Sequence, residues 1–99
     1  MGEIRGIVPA TLTPFDADGQ VSPLLIKRLV RHLLAAGVHG LFVCGSSGEA
    51  MLMESSERQR VAEIFVEEVG GQVPVIVHVG TPGSDIAAQL GRHAQSIGA

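Results

Sequence analysis

Three near-continuous apolar runs punctuate the chain, at about residues 6–12, 40–44 and 74–79, so that successive runs start 34 residues apart. That interval is the length of one strand–helix unit. Unbroken rather than alternating apolar character is what parallel strands need when both faces are covered. Between the runs, apolar residues recur at helical spacing. Leu25, Leu29 and Leu33, with Ile26, Val30 and Leu34 beside them, predict a wide buried stripe, leaving Lys27, Arg28, Arg31 and His32 on other faces. Ser22 before Pro23 predicts an N-cap and a proline in the first helical position. Gly37 is expected to stop this helix in the left-handed region.

A second helix is expected to open at Ser55 or Ser56, with Ser56 and Gln59 spaced as a capping box. Val61, Ile64, Phe65 and Val69 form its inward face, and Gly70–Gly71 end it. A third helix, from about Ser84, is expected to bury Ile86, Leu90, Ala94 and Ile97. The resulting order is βαβαβα with right-handed crossovers, an α/β class of fold.

Composition narrows the function classes. Ninety-nine residues hold at most one domain, and 45% apolar residues exclude a disordered chain. Three Phe with no Tyr or Trp leave the core to Val, Leu, Ile and Ala. A formal charge of −3 without a basic stripe argues against nucleic-acid partners. No run approaches the ~20 apolar residues of a membrane span, and Met1–Arg5 lacks the apolar centre of a signal peptide. Cys44 is the sole cysteine, so no internal disulfide forms, and a reducing cytoplasm is the expected setting.

Candidate chemistry gathers where the second apolar run ends. Gly45-Ser46-Ser47-Gly48-Glu49 places two hydroxyls and free backbone amides beyond a strand, an arrangement suited to a small carboxylate. Its glycines admit backbone angles and close approaches that a side chain would obstruct. By itself such a turn also fits a plain strand-to-helix loop. Cys44 is read as packing, Glu67–Glu68 as a solvated helix face, and Arg58 as the partner of a surface carboxylate. His78 is read as a hydrogen-bonded core or barrel-lining histidine rather than a metal ligand, and no histidine has metal-binding spacing to acidic residues.

The turn has company along the chain: Gly6-Ile7-Val8-Pro9-Ala10-Thr11-Leu12-Thr13-Pro14-Phe15 before it, Ser56-Glu57-Arg58 and Pro74-Val75-Ile76-Val77-His78-Val79-Gly80 after it. In this order and spacing the motifs resemble the start of the dihydrodipicolinate synthase / N-acetylneuraminate lyase family. That resemblance implies a class I, Schiff-base aldolase acting on pyruvate or another 2-oxo acid, without cofactor or metal. It also implies a (β/α)8 barrel, of which residues 1–99 would form about the first three βα units, since a whole barrel needs about 250 residues. The family expectation extends to a homo-oligomer in the full-length form.

Residue roles follow from the same resemblance. Ser46 and Ser47 match the two hydroxyl positions of the family's Gly-[Ser/Thr]-Thr-Gly-Glu signature. Ser47 would hold the 2-oxo acid's carboxylate together with neighbouring amides, and Ser46 would belong to a proton relay with tyrosines. Serine at position 47 keeps the donor but loses the methyl that restricts the threonine rotamer. Gly45 and Gly48 would shape the turn, Glu49 would anchor the loop or cap its amides, and Thr13 would fix a loop or line the site. The family's imine-forming lysine and its acid–base tyrosine lie on later strands, and here Lys27 is the sole lysine and tyrosine is absent. Gly48-Glu49-Ala50, Ser56-Glu57-Arg58 and His78-Val79-Gly80 lean somewhat toward the sialic-acid lyase branch, but synthase-like members show such combinations too, so the synthase, sialic-acid lyase and dehydratase branches all stay open. The contrasting expectation is a non-catalytic (βα)3 piece that self-associates or binds anions weakly.

Overall fold

The computed structural model describes residues 4–45 and 48–99. Within them the elements run α1 (Pro23–Ala35), β1 (Leu41–Val43), a 3₁₀ turn (Ala50–Leu52), α2 (Ser55–Val69), β2 (Val75–Val77) and α3 (Ser84–Ser96). β1 and β2 pair in parallel, with Leu41 opposite Val75, Phe42 opposite Ile76 and Val43 opposite Val77. This is the pairing that a crossover through α2 demands.

The first expected strand, at 6–12, is not a full strand. It runs parallel to β1 and forms one bridge, Ala10 to Phe42. Its hydrogen bonds are irregular: His39 donates to Ile7 O, Phe42 donates to Pro9 O, and Thr11 donates to Phe42 O. From Ile7 to Pro9 the chain advances two residues while its neighbour advances three, from His39 to Phe42. The extra residue breaks the ladder as a bulge does. Pro9 also has no N–H to offer. Apolar content predicted the path of this segment but not its loss of register.

Each helix is closed by identifiable residues. Ser22 Oγ accepts from Leu25 N at 3.2 Å, with Pro23 in the first turn, as expected. At the other end Gly37, with φ of 85°, donates to Leu34 O while Val38 donates to Leu33 O. That pair of bonds is a Schellman closure. Gly98 and Ala99 repeat it on Gln95 and Ala94 at the end of α3. α2 departs from expectation at its start: the N-cap is Glu54, and the Glu57 carboxylate takes the Glu54 amide at 3.1 Å. The reciprocal cap therefore begins two residues before Ser56. A glutamate can fill the role because its carboxylate also favours the positive end of the helix.

Ile26 and Val30 of α1 meet Leu41 and Val43 of β1 and Val61, Ile64, Phe65 and Val69 of α2 in one buried cluster. The α2 residues follow the helical spacing read from the chain. Two expected core positions are exposed instead, Leu25 at 38% and Ile86 at 41%. α1 turns Ile26 and Val30 inward, which swings Leu25 to the edge of the stripe. α3 packs on α2, buries Leu90 and Ala94, and is tied there by His93 to Glu63 at 2.8 Å, leaving its first turn open. Ile97 is half-buried. Glu68, expected in solvent, bonds Arg31 Nε at 2.8 Å and so links α2 to α1, while Glu67 is exposed as read.

Beyond β2 the packing is looser. An open groove of about 360 Å³ lies between β2 and α3, lined by Val75, Val77, Val79, Gly91 and Ala94 with Ile4 at its rim. No helix among the described residues is long and apolar enough to cross a membrane.

Candidate active-site rim at the strand ends

The carboxyl ends of β1 and β2 and the segment around Thr11–Thr13 converge on one rim. Thr13 arrives there from a loop held by Asp16, whose Oδ1 accepts from the amides of Asp18 and Gln20, closed by an antiparallel bridge between Phe15 and Val21. The Thr13 hydroxyl, 5% exposed, donates to Gly48 O at 2.6 Å. Thr13 thus ties its own segment to the turn after β1. Thr11, also buried, lies against the same junction with its hydroxyl 3.4 Å from Phe42 O.

The turn itself is built differently from the expectation for its glycines. Cys44 and Glu49, not Gly45 and Gly48, adopt left-handed backbone angles, each with φ of 60°. The glycines serve close approach. A Cβ on Gly45 would stand 2.7 Å from the Phe42 ring, and one on Gly48 would stand 3.0 Å from Thr13 Oγ1 and 3.2 Å from Thr11 O. Gly45 O accepts from Gly48 N at 3.1 Å and from Ala50 N at 3.3 Å, which folds the segment back on itself. Glu49 is exposed and its side chain makes no cap bond to the 3₁₀ turn that follows. Its backbone, accepting from Leu52 N, makes the change of direction. Ser46 and Ser47, the two hydroxyl positions, lie outside the described residues.

Cys44 is 1% exposed, and its thiol faces Arg58 O at 3.9 Å. Burial pushes the thiol up from 9.0 to about 11, against a smaller downward pull from the Arg58 guanidinium. A thiol so held stays protonated near neutrality and is no nucleophile. The packing role read for Cys44 agrees with this environment.

β2 leads into His78, whose amide continues the ladder by donating to Val43 O at 2.9 Å. Its imidazole Nδ1 lies 3.1 Å from Cys44 O, and its ring meets Phe42 edge-on with centroids 6.0 Å apart. A carbonyl can only accept, so Nδ1 carries a proton in this contact. This is the hydrogen-bonded histidine expected from the sequence. Gly80 lies beneath the ring, where a Cβ would come within 2.7 Å of Nε2.

Arg58 is the residue that sequence reasoning misplaced. It was expected on a helix surface beside a carboxylate. Instead it is 5% exposed, and its two terminal nitrogens donate to His78 O and Gly80 O, each at 2.8 Å. Its charge reads as surface, yet helical spacing sets position 58 three and seven residues before Val61 and Phe65, on the inward stripe of α2, and the loop after β2 accepts its hydrogen bonds. Lys27 lies in α1 and takes part in none of the bonds that join this rim. Among the described residues no group of three or more His, Cys, Asp or Glu is placed to hold a metal ion.

Residues 3–99 match the dihydrodipicolinate synthetase family. The N-acetylneuraminate lyase of Citrobacter koseri is 43% identical over 96 residues, which are 97% of this chain and 32% of that protein. A prophage protein of E. coli K12, described as belonging to the dihydrodipicolinic acid synthase family and solved in complex with pyruvate, superposes with a TM-score of 0.93 at 37% identity, covering 95% of this chain and 32% of that one. A catalytic-lysine mutant of Ruminococcus gnavus sialic acid aldolase superposes with a TM-score of 0.92 at 32% identity, covering 96% and 31%. The chain therefore spans about a third of the length of the relatives it matches. With the family matched along nearly its whole length and the mixed α/β fold of barrel relatives reproduced at these scores, the chain belongs to the dihydrodipicolinate synthetase family.

Proposed function

We propose that residues 1–99 supply the carboxylate-binding part of a pyruvate-dependent lyase. In this reading Ser47 and the adjacent amides hold the carboxylate of a 2-oxo acid, and Ser46 passes a proton in the relay. Gly45, Gly48 and Thr13 keep the turn in place, with Glu49 supporting it. One observation carries the reading: at the carboxyl end of β1 Cys44 O is held by His78 after β2, and Gly48 O is held by Thr13. In parallel barrels that is the face on which reactive groups collect.

The reacting amine is a separate matter. Imine chemistry needs a lysine that attacks the keto carbon and then draws electrons from it. Lys27, on α1, is the sole lysine of these 99 residues and is not part of the rim. We assign the imine lysine and the tyrosine to the later strands of a complete barrel. The complete enzyme is proposed as a homo-oligomer in the cytoplasm, where a buried free thiol such as Cys44 persists. The 43% identity to N-acetylneuraminate lyase supports cleavage of a sialic-acid-type sugar acid to pyruvate, and the equal 43% identity to a DapA-like lyase of Halobacterium salinarum keeps a synthase-type reaction beside it. A second reading, a non-catalytic piece that self-associates, draws on the open apolar groove beside β2.

A graft tests these readings against each other. The 99 residues replace the corresponding third of the Citrobacter koseri lyase, and the product is treated with pyruvate and borohydride. The expected result is one stable amine adduct on the lysine contributed by the lyase, with no adduct on Lys27. Ser47→Ala in the graft should raise the pyruvate KM by about tenfold, the loss of one hydrogen bond to a charged group. An unchanged KM would remove Ser47 from the carboxylate site.

A further inference from the structure

Arg58 has no part in the function proposed above, yet it is the most deeply buried charged side chain among the described residues. Holding a guanidinium out of water is unfavourable unless its donors are used. Two nitrogens are used on carbonyls two residues apart, His78 O and Gly80 O, and Nε has no partner among the described residues. A planar fork reaching two acceptors at once is a geometry that lysine cannot copy.

What the fork holds leads directly to the turn. The carbonyl taken by Nη2 belongs to His78, whose Nδ1–H is bonded to Cys44 O and whose amide is bonded to Val43 O. Cys44 is the left-handed residue at which the chain leaves β1, so its orientation sets the direction in which the chain enters Gly45. Cys44 Sγ is also directed at Arg58 O, which closes the circuit from α2 through β2 to β1. We propose that Arg58 is a positioning residue for the anion-binding turn. Its guanidinium fixes the His78–Gly80 segment, and the His78 imidazole in turn holds Cys44 and the exit of the turn. The inference rests on reading that turn as the site for a 2-oxo acid carboxylate.

The test uses the 99-residue chain labelled with ¹⁵N, with Arg58→Met to remove both bonds at similar length and Arg58→Lys to retain the charge. In the unmodified chain the His78 ring nitrogens should report a single Nδ1–H tautomer. Arg58→Met should convert it to the mixture of a free imidazole and shift the Gly45 and Gly48 amides, and Arg58→Lys should restore part of each signal. Pyruvate titration of the graft into the Citrobacter koseri lyase should show affinity about tenfold lower when the graft carries Arg58→Met. A folded Arg58→Met with the His78 tautomer and both glycine amides unchanged would overturn the proposal, and so would undiminished pyruvate affinity. A graft that binds no pyruvate removes the carboxylate reading alone, because the His78 and glycine signals judge Arg58 independently. If Arg58→Met does not fold, the unmodified chain decides: slow rotation with distinct Nη resonances is expected, and rapidly averaged ones overturn the assignment.

Discussion

The two sides of the strand-end rim are held by opposite means. On one side Thr13 meets Gly48 through a neutral hydroxyl and a close main-chain approach, with no room for a Cβ. On the other, Arg58 spans the gap between α2 and the end of β2 with a buried charge and two 2.8 Å bonds. The first contact works by subtraction, since everything beyond the backbone has been removed at Gly48. The second works by reach, since a long side chain fills space that the loop leaves open. A neutral contact tolerates water poorly but costs little to bury. A buried guanidinium is costly to place and far more damaging to remove, because its acceptors are left without partners.

The largest expected effect is therefore on the charged side. Arg58→Ala should destabilise the fold by about 3 kcal/mol, from two lost charge-assisted bonds and the space left behind. Urea unfolding followed by circular dichroism measures it; a loss under about 1 kcal/mol would place both sides of the rim on an equal footing. Gly48→Ala comes next, at about 2 kcal/mol, because the added methyl presses on Thr13 Oγ1, Thr11 O and the Cys44 backbone at 3.0–3.3 Å. Two of those neighbours are main chain and cannot yield by changing rotamer. A stability equal to that of the unmodified chain would show that the turn is looser than the contact implies.

Thr13→Val should cost about 1 kcal/mol, since shape is kept while Gly48 O loses its buried donor. The same unfolding measurement checks it, and a cost matching Arg58→Ala would erase the distinction between the two sides. A separate effect, confined to alkaline pH, is a pH dependence between them, at Cys44. Its thiol stays protonated in the folded chain up to about 11, whereas the unfolded thiol releases its proton near 9.0. The folded state then binds more protons above pH 9, so stability should be level below that pH and decline from 9 toward 11. Cys44→Ala should flatten that decline, and an unaltered slope would assign it to other groups.

Much of the scaffold was legible in the chain. The Ser22–Pro23 start, the Gly37 stop and the Val61, Ile64, Phe65, Val69 face all follow from local rules: a hydroxyl near free amides, a residue free of Cβ strain, and helical spacing. The position of the Gly45–Glu49 turn at a strand end was legible for the same reason. Elsewhere local rules pointed the wrong way. Leu25 and Ile86 have the right spacing to be buried, but burial depends on what stands opposite, and among the described residues nothing covers Ile86 in α3's first turn. The run at 6–12 has strand composition, yet its pairing is interrupted by a one-residue mismatch that no single segment encodes.

The sequence by itself determined that this is a parallel βα chain of the dihydrodipicolinate synthetase family, because apolar periodicity, caps and the Gly-Ser-Ser-Gly-Glu motif act over a few neighbouring residues. The tertiary structure alone decided the inside of the rim. Residues 13 and 48, 44 and 78, and 58 and 80 meet across 35, 34 and 22 positions of chain. It also moved the left-handed angles from the glycines to Cys44 and Glu49 and took Arg58 from the expected surface into the interior. Such contacts are set by how α2 and the strands pack together, and a charge becomes buried only when a distant loop folds over it.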